Sequence, residues 1–436
     1  MKTSHPRGRK KNGFNFRKID FENSFTETRY EDPVSLFCDT CGSALVMASQ
    51  KERFVVEVIP SSIKVIKIIK RAYKCPFDGH FDYPVSHAPF PGSILTPSFA
   101  AYLAYHKYEL GIPFHHLEKH LSSVLNIPIS KQLLATWMAS LATMLTPLFS
   151  QMKSDLLHTP IRVIHADETT LVISKQPAYN ANRKKSYVYV YASSYYDRQI
   201  HIYDFHESRA IDRTALWLSH YQGYIVCDDF PGYTKLAKDN PHIHLQRCLA
   251  HARRRFTDIL KSLPADQIKA SLSFQIVDLI NRLFHFEDTY KQQTLPPSAI
   301  FIRRQLDHPP IIERLKTLIF DSPIKPQSAL ESAIKYVRNI WGDLFTYLKD
   351  GYLEISNNLA ERAVKPFVIN RKVFMTSGSY AGARYTTILF SIIRTAIINH
   401  LDVQKYLCYI IENIDKLDTS AITPYYEKLP DYLKIS

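Results

Sequence analysis

The sequence predicts an α+β protein built from several domains. Three β-rich runs follow one another between residues 162 and 206, strands then alternate with helices up to residue 262, and helical patterns fill most of the remaining chain. Successive strands followed by successive helices are typical of the α+β class. The 436 residues exceed one ordinary domain, and a hydrophobic content of 45% is sufficient to bury a core.

Composition and pattern divide the chain into seven predicted segments. A basic run that begins at Arg7 marks an arm, cysteines bracket the next unit, and prolines separate the later helices. The segments are a basic flexible arm (1–35), a small β unit (36–86), a helical region (87–157), the first part of a central core (158–262), a helical insertion (263–350), the second part of that core (351–399) and a C-terminal helical element (400–436).

Local patterns predict structure in the β unit and the helical region. The stretch FVVEVIPSSIKVIKIIKRAYKC, which starts at Phe54, interleaves β-branched residues with lysines and predicts a β-hairpin with one basic face. In SKQLLATWMASLATMLTPLF, apolar residues recur at three- and four-residue steps and predict a helix. Ser130 is the predicted N-cap of that helix.

The central core begins with the runs RVIHADETTLVI, YVYVYAS and QIHIYDFH, which predict three antiparallel strands. A fourth strand in YIVCDD and a fifth in HIHLQRC follow, and each leads into a helix. After the insertion, a loop in YLEISNNLAERAVKPF enters a late helix. This order favours an RNase H-like core with a helical insertion, while other mixed folds share the same pattern.

The chain is strongly basic, with a formal net charge of +14 and a pI of about 9.3. Such an excess favours a polyanionic partner, with nucleic acid first and an acidic membrane surface second. The apolar stretch TTILFSIIRTAIINHL is interrupted by Arg394 and is too short to span a bilayer. Six cysteines in a chain of this length argue against a disulfide framework, so we expect a soluble intracellular protein.

Three acidic residues stand out by their positions. Asp167 lies inside the first core strand, Asp228 ends the fourth strand, and Glu361 starts the late helix. A carboxylate within an apolar strand is costly to bury as an ion unless it is paired, hydrogen-bonded or bound to metal. Because strand ends and a helix start can converge in a fold, these acids form a candidate active site.

Carboxylates at such a site suit phosphodiester chemistry. Two Mg²⁺ ions about 3.5–4 Å apart serve the attacking and leaving oxygens of an in-line displacement. Mg²⁺ prefers a few carboxylate oxygens, with water and substrate phosphate completing its shell. Each acid also has a structural explanation: Asp167 paired with an arginine, Asp228 as the cap of the next helix, and Glu361 in a capping box with Asn358.

Ordered sequence blocks run through nearly the whole chain. They are CDTCGSAL with YKC, YLAYHKYELGIPFHHLE, LATWM, HADETTLVI, GYIVCDDFPGY, CLAHARRRF, YLEISNNLAERAVKPFVINRKVFMTSGSYAGA and LFSIIRTAIINHLDVQKYL. Together these blocks resemble the transposases of the insertion sequence 66 family. No single block is decisive, but their joint order is specific.

This resemblance implies a DDE transposase that binds the ends of an insertion sequence, cleaves DNA and transfers strands by a two-metal mechanism. It implies that Asp167, Asp228 and Glu361 are the catalytic residues and bind two Mg²⁺ (or Mn²⁺) ions. The gap of 133 residues between Asp228 and Glu361 (361 minus 228) then holds the helical insertion. The resemblance further implies transposon ends and target DNA as partners, a homo-oligomer on DNA, helper proteins of the same element, and a cytoplasmic, nucleoid-associated location in bacteria.

Three features depart from the family pattern. Asp229 stands where the family usually has glycine, so two adjacent acids compete for one predicted ligand position. Ser356 stands where aspartate is common, outside the predicted triad. The sequence begins close to the cysteine unit, whereas longer members resemble a leucine-zipper segment before it. We therefore expect a missing dimerisation or DNA-binding element, or a shortened copy.

The β unit is predicted to bind a structural Zn²⁺ ion. Cys38 and Cys41 form a C-x-x-C knuckle of the kind that binds zinc. The resemblance implies a second such pair, of which only Cys75 is present; Asp78 has the spacing of the missing cysteine, and His80 lies two residues on. Either residue can be the fourth ligand, and a metal-free unit held by packing is the alternative.

Basic residues are predicted to contact DNA phosphates in three places. The zinc unit presents one set, a second set follows the fifth strand beside His251, and a third ends the late helix. Exposed basic faces are the alternative, and we expect His251 to be structural. The predicted DNA-binding residues are Lys64, Lys67 and Lys70, then Arg253 and Arg254, then Arg371 and Lys372.

Two other functions share these features. An RNase H-like nuclease that only hydrolyses DNA uses the same carboxylates, and a strand-transfer assay separates it from a transposase. A non-catalytic DNA-binding protein needs only the zinc unit and the basic surface. The presence of acids at all three predicted positions argues against that second alternative.

Overall fold

The structure is a computed structural model. It describes residues 28, 42–44, 63–69, 71, 73–74, 76, 81–82, 89–125, 129–158, 163–175, 185–193, 199–209 and 217–435. The chain divides into two compact units, Met1–Lys67 and Ile68–Ser436. The predicted zinc ligands Cys38, Cys41, Cys75, Asp78 and His80, together with Lys70, lie outside the described residues.

The predicted β-hairpin differs from the observed strand pairing. Residues 63–69 form no strand, and the side chains of Val65 and Ile68 are 72% and 78% exposed. The observed antiparallel pair is β1 (Tyr73–Lys74) with β2 (Phe81–Asp82). The prediction of a strand over residues 63–69 was therefore wrong. β-Branched residues favour strands when they pack on a half-buried surface, and this run has no such burial.

Helices fill the next region, as predicted. They are α1 (Pro97–Ala104), which continues into a π-helix (Tyr105–Glu109), then α2 (Phe114–Leu125), α3 (Lys131–Met144) and α4 (Thr146–Leu157). The Ser130 hydroxyl accepts a hydrogen bond from the Leu133 backbone N–H at 3.3 Å, which confirms the predicted N-cap of α3.

A mixed sheet forms the centre of the second unit. Among the described residues its strands are β3 (Val163–Ile173), β4 (Ser186–Ser193), β5 (Ile200–His206), β6 (Gly223–Cys227), β7 (Ile243–Arg247) and β8 (Thr376–Ser377). Their order is β5-β4-β3-β6-β7, and β8 pairs with β3. The first three strands are antiparallel, as predicted, while β6 and β7 run parallel to β3.

The remaining helices surround this sheet. They are α5 (Pro231–Asp239), α6 (Leu249–Leu260), α7 (Ala265–Ile268), α8 (Leu272–Gln292), α9 (Pro297–Asp307), α10 (Pro309–Phe320), α11 (Ala329–Leu344), α12 (Asn358–Phe374), α13 (Tyr380–Ile398) and α14 (Val403–Asn413). Prolines begin α9 and α10, as the predicted breaks require. The mixed sheet and these helices are consistent with the predicted α+β class.

Helix α13 covers the open edge of the sheet at β5. The Ser391 and Thr395 hydroxyls accept hydrogen bonds from the backbone N–H groups of Tyr203 and His201, at 2.8 and 3.1 Å. The two hydroxyls are four residues apart and so lie on the same face of the helix, and the two N–H groups are two residues apart on the strand. Each hydroxyl therefore meets one N–H group. An edge strand otherwise leaves its backbone groups unpaired, so this helix satisfies and protects the edge.

A buried arginine ties the helical insertion to the chain that enters α12. Arg304 on α9 is 2% exposed and forms a two-point ion pair with Glu287 on α8, at 2.8 and 2.7 Å. The same guanidinium donates to the backbone carbonyls of Tyr347, Asp350 and Leu353 at 2.8–2.9 Å. A buried ion pair needs such additional hydrogen bonds to offset its desolvation.

Within the part of the chain that the structure describes, no single helix is long and apolar enough to cross a membrane. The helices α3 and α4 join at a bend, and by length and composition only, this pair together would be long and apolar enough.

The hydrogen bonds between α13 and β5 predict a measurable stability effect. Thr395→Val keeps the side-chain shape but leaves the buried His201 N–H without its acceptor, which costs about 1–3 kcal/mol. We expect chemical denaturation to show this loss. Thr317→Val is the control, because Thr317 is exposed and its hydroxyl bonds only within its own helix, to the Glu313 carbonyl; it should change stability by less than about 0.5 kcal/mol. Equal losses in the two variants would contradict the edge assignment.

Candidate active site

The strand register brings Asp167 and Asp228 side by side. In the parallel pair of β3 and β6, His165 lies opposite Val226, an offset of 61 residues (226 minus 165). The same offset links Asp167 with Asp228 (228 minus 167), although Asp228 lies just beyond the end of β6. Neighbouring strands are about 4.7–4.9 Å apart, so register alone places these two acids next to each other.

Helix α12 brings the third acid to the same place. Glu361 lies in the first turn of α12. Immediately before that helix, the Asn357 side chain donates a hydrogen bond to the Ala166 carbonyl on β3 at 2.8 Å, and Asn357 is 1% exposed. The Asn357 backbone N–H donates to the Cys248 sulfur at 3.1 Å. These bonds hold the start of α12 against the strand that carries Asp167.

The electrostatics of Asp167 reflect this convergence. The pKa of Asp167 is raised to about 7, chiefly by burial and also by the nearby carboxylates of Glu168, Asp228 and Glu361, while a hydrogen bond from the Glu168 backbone N–H opposes the rise. Like charges at short range disfavour ionisation of each other. The site therefore concentrates negative charge that a cation would relieve.

Glu361 does not form the capping box that its spacing allows. The N-cap of α12 is Asn357, which makes no side-chain capping bond, so Asn358 is already inside the helix. Glu361 Oε1 is buried without a hydrogen-bond partner, and the nearest ionisable neighbour, His251 Nε2, is 3.7 Å away. This buried acceptor is available for a ligand.

Asp228 is held in a turn and does not cap the following helix. Its Oδ1 accepts a hydrogen bond from the Phe230 backbone N–H at 3.0 Å, and Phe230 is the N-cap of α5. The buried Arg247, 1% exposed, donates to the Asp228 carbonyl and also to Thr234 Oγ1 at 2.5 Å. The turn is therefore fixed from the side of β7.

The neighbouring Asp229 has different surroundings. Burial raises the pKa of Asp229, Arg247 and Arg255 lower it, and Asp228 raises it. By contrast, Asp228 and not Asp229 is among the principal charges that raise the pKa of Asp167. Of the two adjacent acids, Asp228 is the one grouped with Asp167 and Glu361.

Sequence reasoning missed a fourth acid at this place. The Glu168 side chain is 4% exposed and pairs with Arg209, whose side chain is 48% exposed. The position of Glu168 next to Asp167 in the HADETTLVI block could have indicated this acid. Its partner Arg209 is 41 residues away, and no local sequence pattern identifies that pairing.

The predicted basic residues have varied roles. Arg371 donates to Thr169 Oγ1 and Thr170 Oγ1 at 2.9 and 3.0 Å, which joins the end of α12 to β3. Arg253 donates to Asn281 Oδ1 at 2.9 Å. The exposed predicted DNA contacts are Arg254, Lys372, Lys64 and Lys67. DNA contact by any of these residues stays a prediction.

Among the described residues, no three histidine, cysteine, aspartate or glutamate side chains form a preassembled metal cage. Asp167, Asp228 and Glu361 are electrostatic neighbours and not a closed ligand shell. Mg²⁺ commonly binds through one or two carboxylates plus water and substrate phosphate, so an open arrangement suits it.

Comparisons with known proteins address the family of the chain. A family model described as "Transposase IS66 family" matches residues 92–385, which confirms the resemblance inferred from the sequence blocks. The chain is also similar to two proteins of Sinorhizobium fredii (strain NBRC 101917 / NGR234), uncharacterized protein y4jD and uncharacterized protein y4qI. Identity with y4jD is 26% over 400 residues, 88% of this chain and 75% of the relative. Identity with y4qI is 27% over 406 residues, 88% of this chain and 71% of the relative.

The raised pKa of Asp167 predicts that the negative charge of this site lowers the stability of the fold. A folded-state pKa of about 7, above the ordinary value of 3.8, means that stability falls as the pH rises from about 4 to about 7. Asp167→Asn removes this penalty and should raise the free energy of unfolding at pH 7 by about 1–3 kcal/mol.

The measurement is chemical denaturation in EDTA at pH 7 and at pH 4.5. The gain should shrink at the lower pH, where Asp167 is largely protonated in the folded state. Asp288→Asn, at an exposed position on α8, is the control and should show no comparable gain. An Asp167→Asn variant less stable than the wild type at pH 7 would contradict the electrostatic assignment.

Proposed function

The chain belongs to the IS66 family of transposases, and from this we propose that it binds the ends of an insertion sequence, cleaves the DNA and transfers the strands. The observation that carries the proposal is the convergence of Asp167, Asp228 and Glu361, the residues that match the family's acidic triad. Register places the first two together, and the Asn357 hydrogen bond holds the third beside them.

The topology supports an RNase H-like catalytic core. In the order β5-β4-β3-β6-β7, the central strand β3 has an antiparallel meander on one side and parallel strands on the other. The acids lie on the central strand, just after the neighbouring parallel strand, and on a helix held against β3. The helices between Asp228 and Glu361 then form the insertion of this core.

The same acids fit divalent metal ions. Burial and neighbouring carboxylates raise the pKa of Asp167, and the Glu361 Oε1 atom lacks a hydrogen-bond partner, so both groups would gain from a cation. We propose that Asp167, Asp228 and Glu361 hold two Mg²⁺ or Mn²⁺ ions. When bound, such ions stabilise the charge on the attacking and leaving oxygens of an in-line displacement.

The protein's own residues hold this arrangement. Arg247 fixes the turn that carries Asp228, and Asn357 fixes the helix that carries Glu361. Hydrolysis at an element end breaks one P–O bond and frees a 3′-hydroxyl. That hydroxyl then attacks a target phosphodiester, so that one P–O bond forms while another breaks. No covalent protein–DNA intermediate is required.

DNA binding is proposed from charge and exposure. The net charge of +14 favours a polyanion, and Arg254 and Lys372 are exposed on the helices that also carry His251 and Glu361. The family match supports DNA as the substrate. A structural Zn²⁺ ion in the N-terminal unit, oligomerisation on DNA and cooperation with helper proteins belong to the same proposal.

A strand-transfer assay tests the proposal. The substrate is a duplex of about 40 base pairs taken from the terminus of the DNA that flanks the reading frame, with Mg²⁺ and a plasmid target. The electrostatic contribution of one active-site group is on the order of 10²–10³ in rate. Asp167→Asn, Asp228→Asn and Glu361→Gln should each therefore lower cleavage and strand transfer by at least about 10²-fold.

Asp229→Asn is the matched control, since it removes the same charge one residue away and should leave activity within a few-fold of the wild type. DNA binding by Asp167→Asn should persist. Hydrolysis without joined products would identify a nuclease, and cleavage that survives in Asp167→Asn would exclude this triad.

A further inference from the structure

An arginine outside the predicted set lies at the edge of the candidate active site. Arg209 follows β5, and its backbone carbonyl accepts a hydrogen bond from the hydroxyl of the fully buried Tyr189 at 3.0 Å. This bond ties the Arg209 backbone to β4, next to the strand that carries Asp167. The side chain therefore extends from an anchored point.

The Arg209 guanidinium is held on two sides. Its Nε donates to Glu168 Oε1 at 3.0 Å, and its Nη2 donates to the same oxygen. The guanidinium also lies over the Phe230 ring, 4.2 Å from the centroid. Among the residues that the structure describes, Glu168 is the only side chain that accepts a hydrogen bond from Arg209.

Both contacts connect Arg209 to the catalytic carboxylates. Glu168 adjoins Asp167 on β3, and the Phe230 backbone N–H holds the Asp228 carboxylate. The ring of Phe230 packs close to the start of α5: a β-carbon at Gly232 would lie 2.4 Å from it, so glycine is required for this ring position. Arg209 is thus placed relative to both Asp167 and Asp228.

We propose that Arg209 binds a phosphate of the DNA backbone beside the carboxylate cluster, and that Glu168 positions its guanidinium for that contact. The inference rests on the proposed function, because it assigns a substrate contact to the same site. Glu168 is a positioning residue in this proposal and does not itself touch the DNA.

The charge balance of the site supports this role. Four carboxylates, those of Asp167, Glu168, Asp228 and Glu361, repel an approaching phosphodiester. A guanidinium carries five N–H donors in a fixed fork, and Glu168 uses only the Nε and Nη2 groups. Arg209 is 48% exposed, so a phosphate can reach it while the ion pair persists.

A purely structural ion pair explains the geometry less well. An ion pair with a half-exposed arginine contributes little to stability. The cost of burying the Glu168 carboxylate, which is 4% exposed, is large by comparison. An apolar residue at position 168 would serve stability better, whereas a phosphate-binding arginine needs a fixed carboxylate to orient it.

The test measures the salt dependence of DNA binding by the full chain. The probe is the fluorescein-labelled terminal duplex of about 40 base pairs, in EDTA to prevent cleavage. The slope of log K against log[KCl] reports the number of phosphates neutralised, at about 0.9 for each. Arg209→Gln should therefore make the slope shallower by about 1 and weaken binding, while Arg209→Lys should retain most of the slope.

Two further variants separate phosphate contact from folding. The double variant Glu168→Gln, Arg209→Gln removes the buried charge together with its partner and should show the same loss of slope. Arg303→Gln is the matched control, because Arg303 on α9 is also about half exposed, at 53%, and pairs with Asp307 at 3.1 Å within the same helix. That variant should leave the slope unchanged.

The outcomes distinguish this inference from the proposed function. If Arg209→Gln and the double variant keep the wild-type slope, or if Arg303→Gln lowers it equally, Arg209 is not the phosphate contact while the transposase assignment stands. If neither the wild type nor Asp167→Asn binds the terminal duplex above a scrambled duplex, end recognition by the proposed transposase fails together with this inference. In Mg²⁺, Glu168→Gln should raise KM more than it lowers kcat.

Discussion

The candidate active site depends on one buried hydrogen bond between distant parts of the chain. The Asn357 amide donates to the Ala166 carbonyl, 191 residues earlier, in an environment where Asn357 is 1% exposed. Because the amide is buried, water does not compete for it, and loss of this acceptor would leave a buried donor unsatisfied. Because Glu361 lies one helical turn after Asn357, the same bond determines where that carboxylate meets Asp167.

The helical insertion contributes to this constraint from the other side. Arg304 binds the backbone carbonyls of residues 347, 350 and 353, in the segment that leads to Asn357. Its ion pair with Glu287 is buried, so removal of either partner would leave an uncompensated charge in the core. The insertion therefore supports the catalytic core and holds the loop from which the third acid begins. The same logic applies to Arg247, a buried arginine whose carbonyl contact fixes the Asp228 turn.

Concentrated negative charge gives the site both its chemistry and its instability. Burial and three neighbouring carboxylates raise the pKa of Asp167, which marks an arrangement that costs stability in the absence of a cation. Such strain is typical of functional sites, since a core selected only for stability would not gather four acids. The pairing of Glu168 with Arg209 partly offsets this charge and leaves a guanidinium at the edge of the site. Under the proposed function, divalent metal ions and DNA phosphates would balance the remaining charge.

Local sequence was sufficient for most of the secondary structure. Alternating β-branched and aromatic residues predicted β3, β4 and β5, and Ser130 predicted the start of α3, because these features depend on near neighbours. Residues 63–69 show the limit of such patterns, since a β-branched run without burial forms no strand there. Motif order alone selected Asp167, Asp228 and Glu361. Tertiary structure decided that Asp228 and not Asp229 faces Asp167, that Glu361 forms no capping box, and that Glu168 is paired with Arg209. These outcomes depend on strand register and on hydrogen bonds between residues far apart in the chain, and no local pattern carries that information.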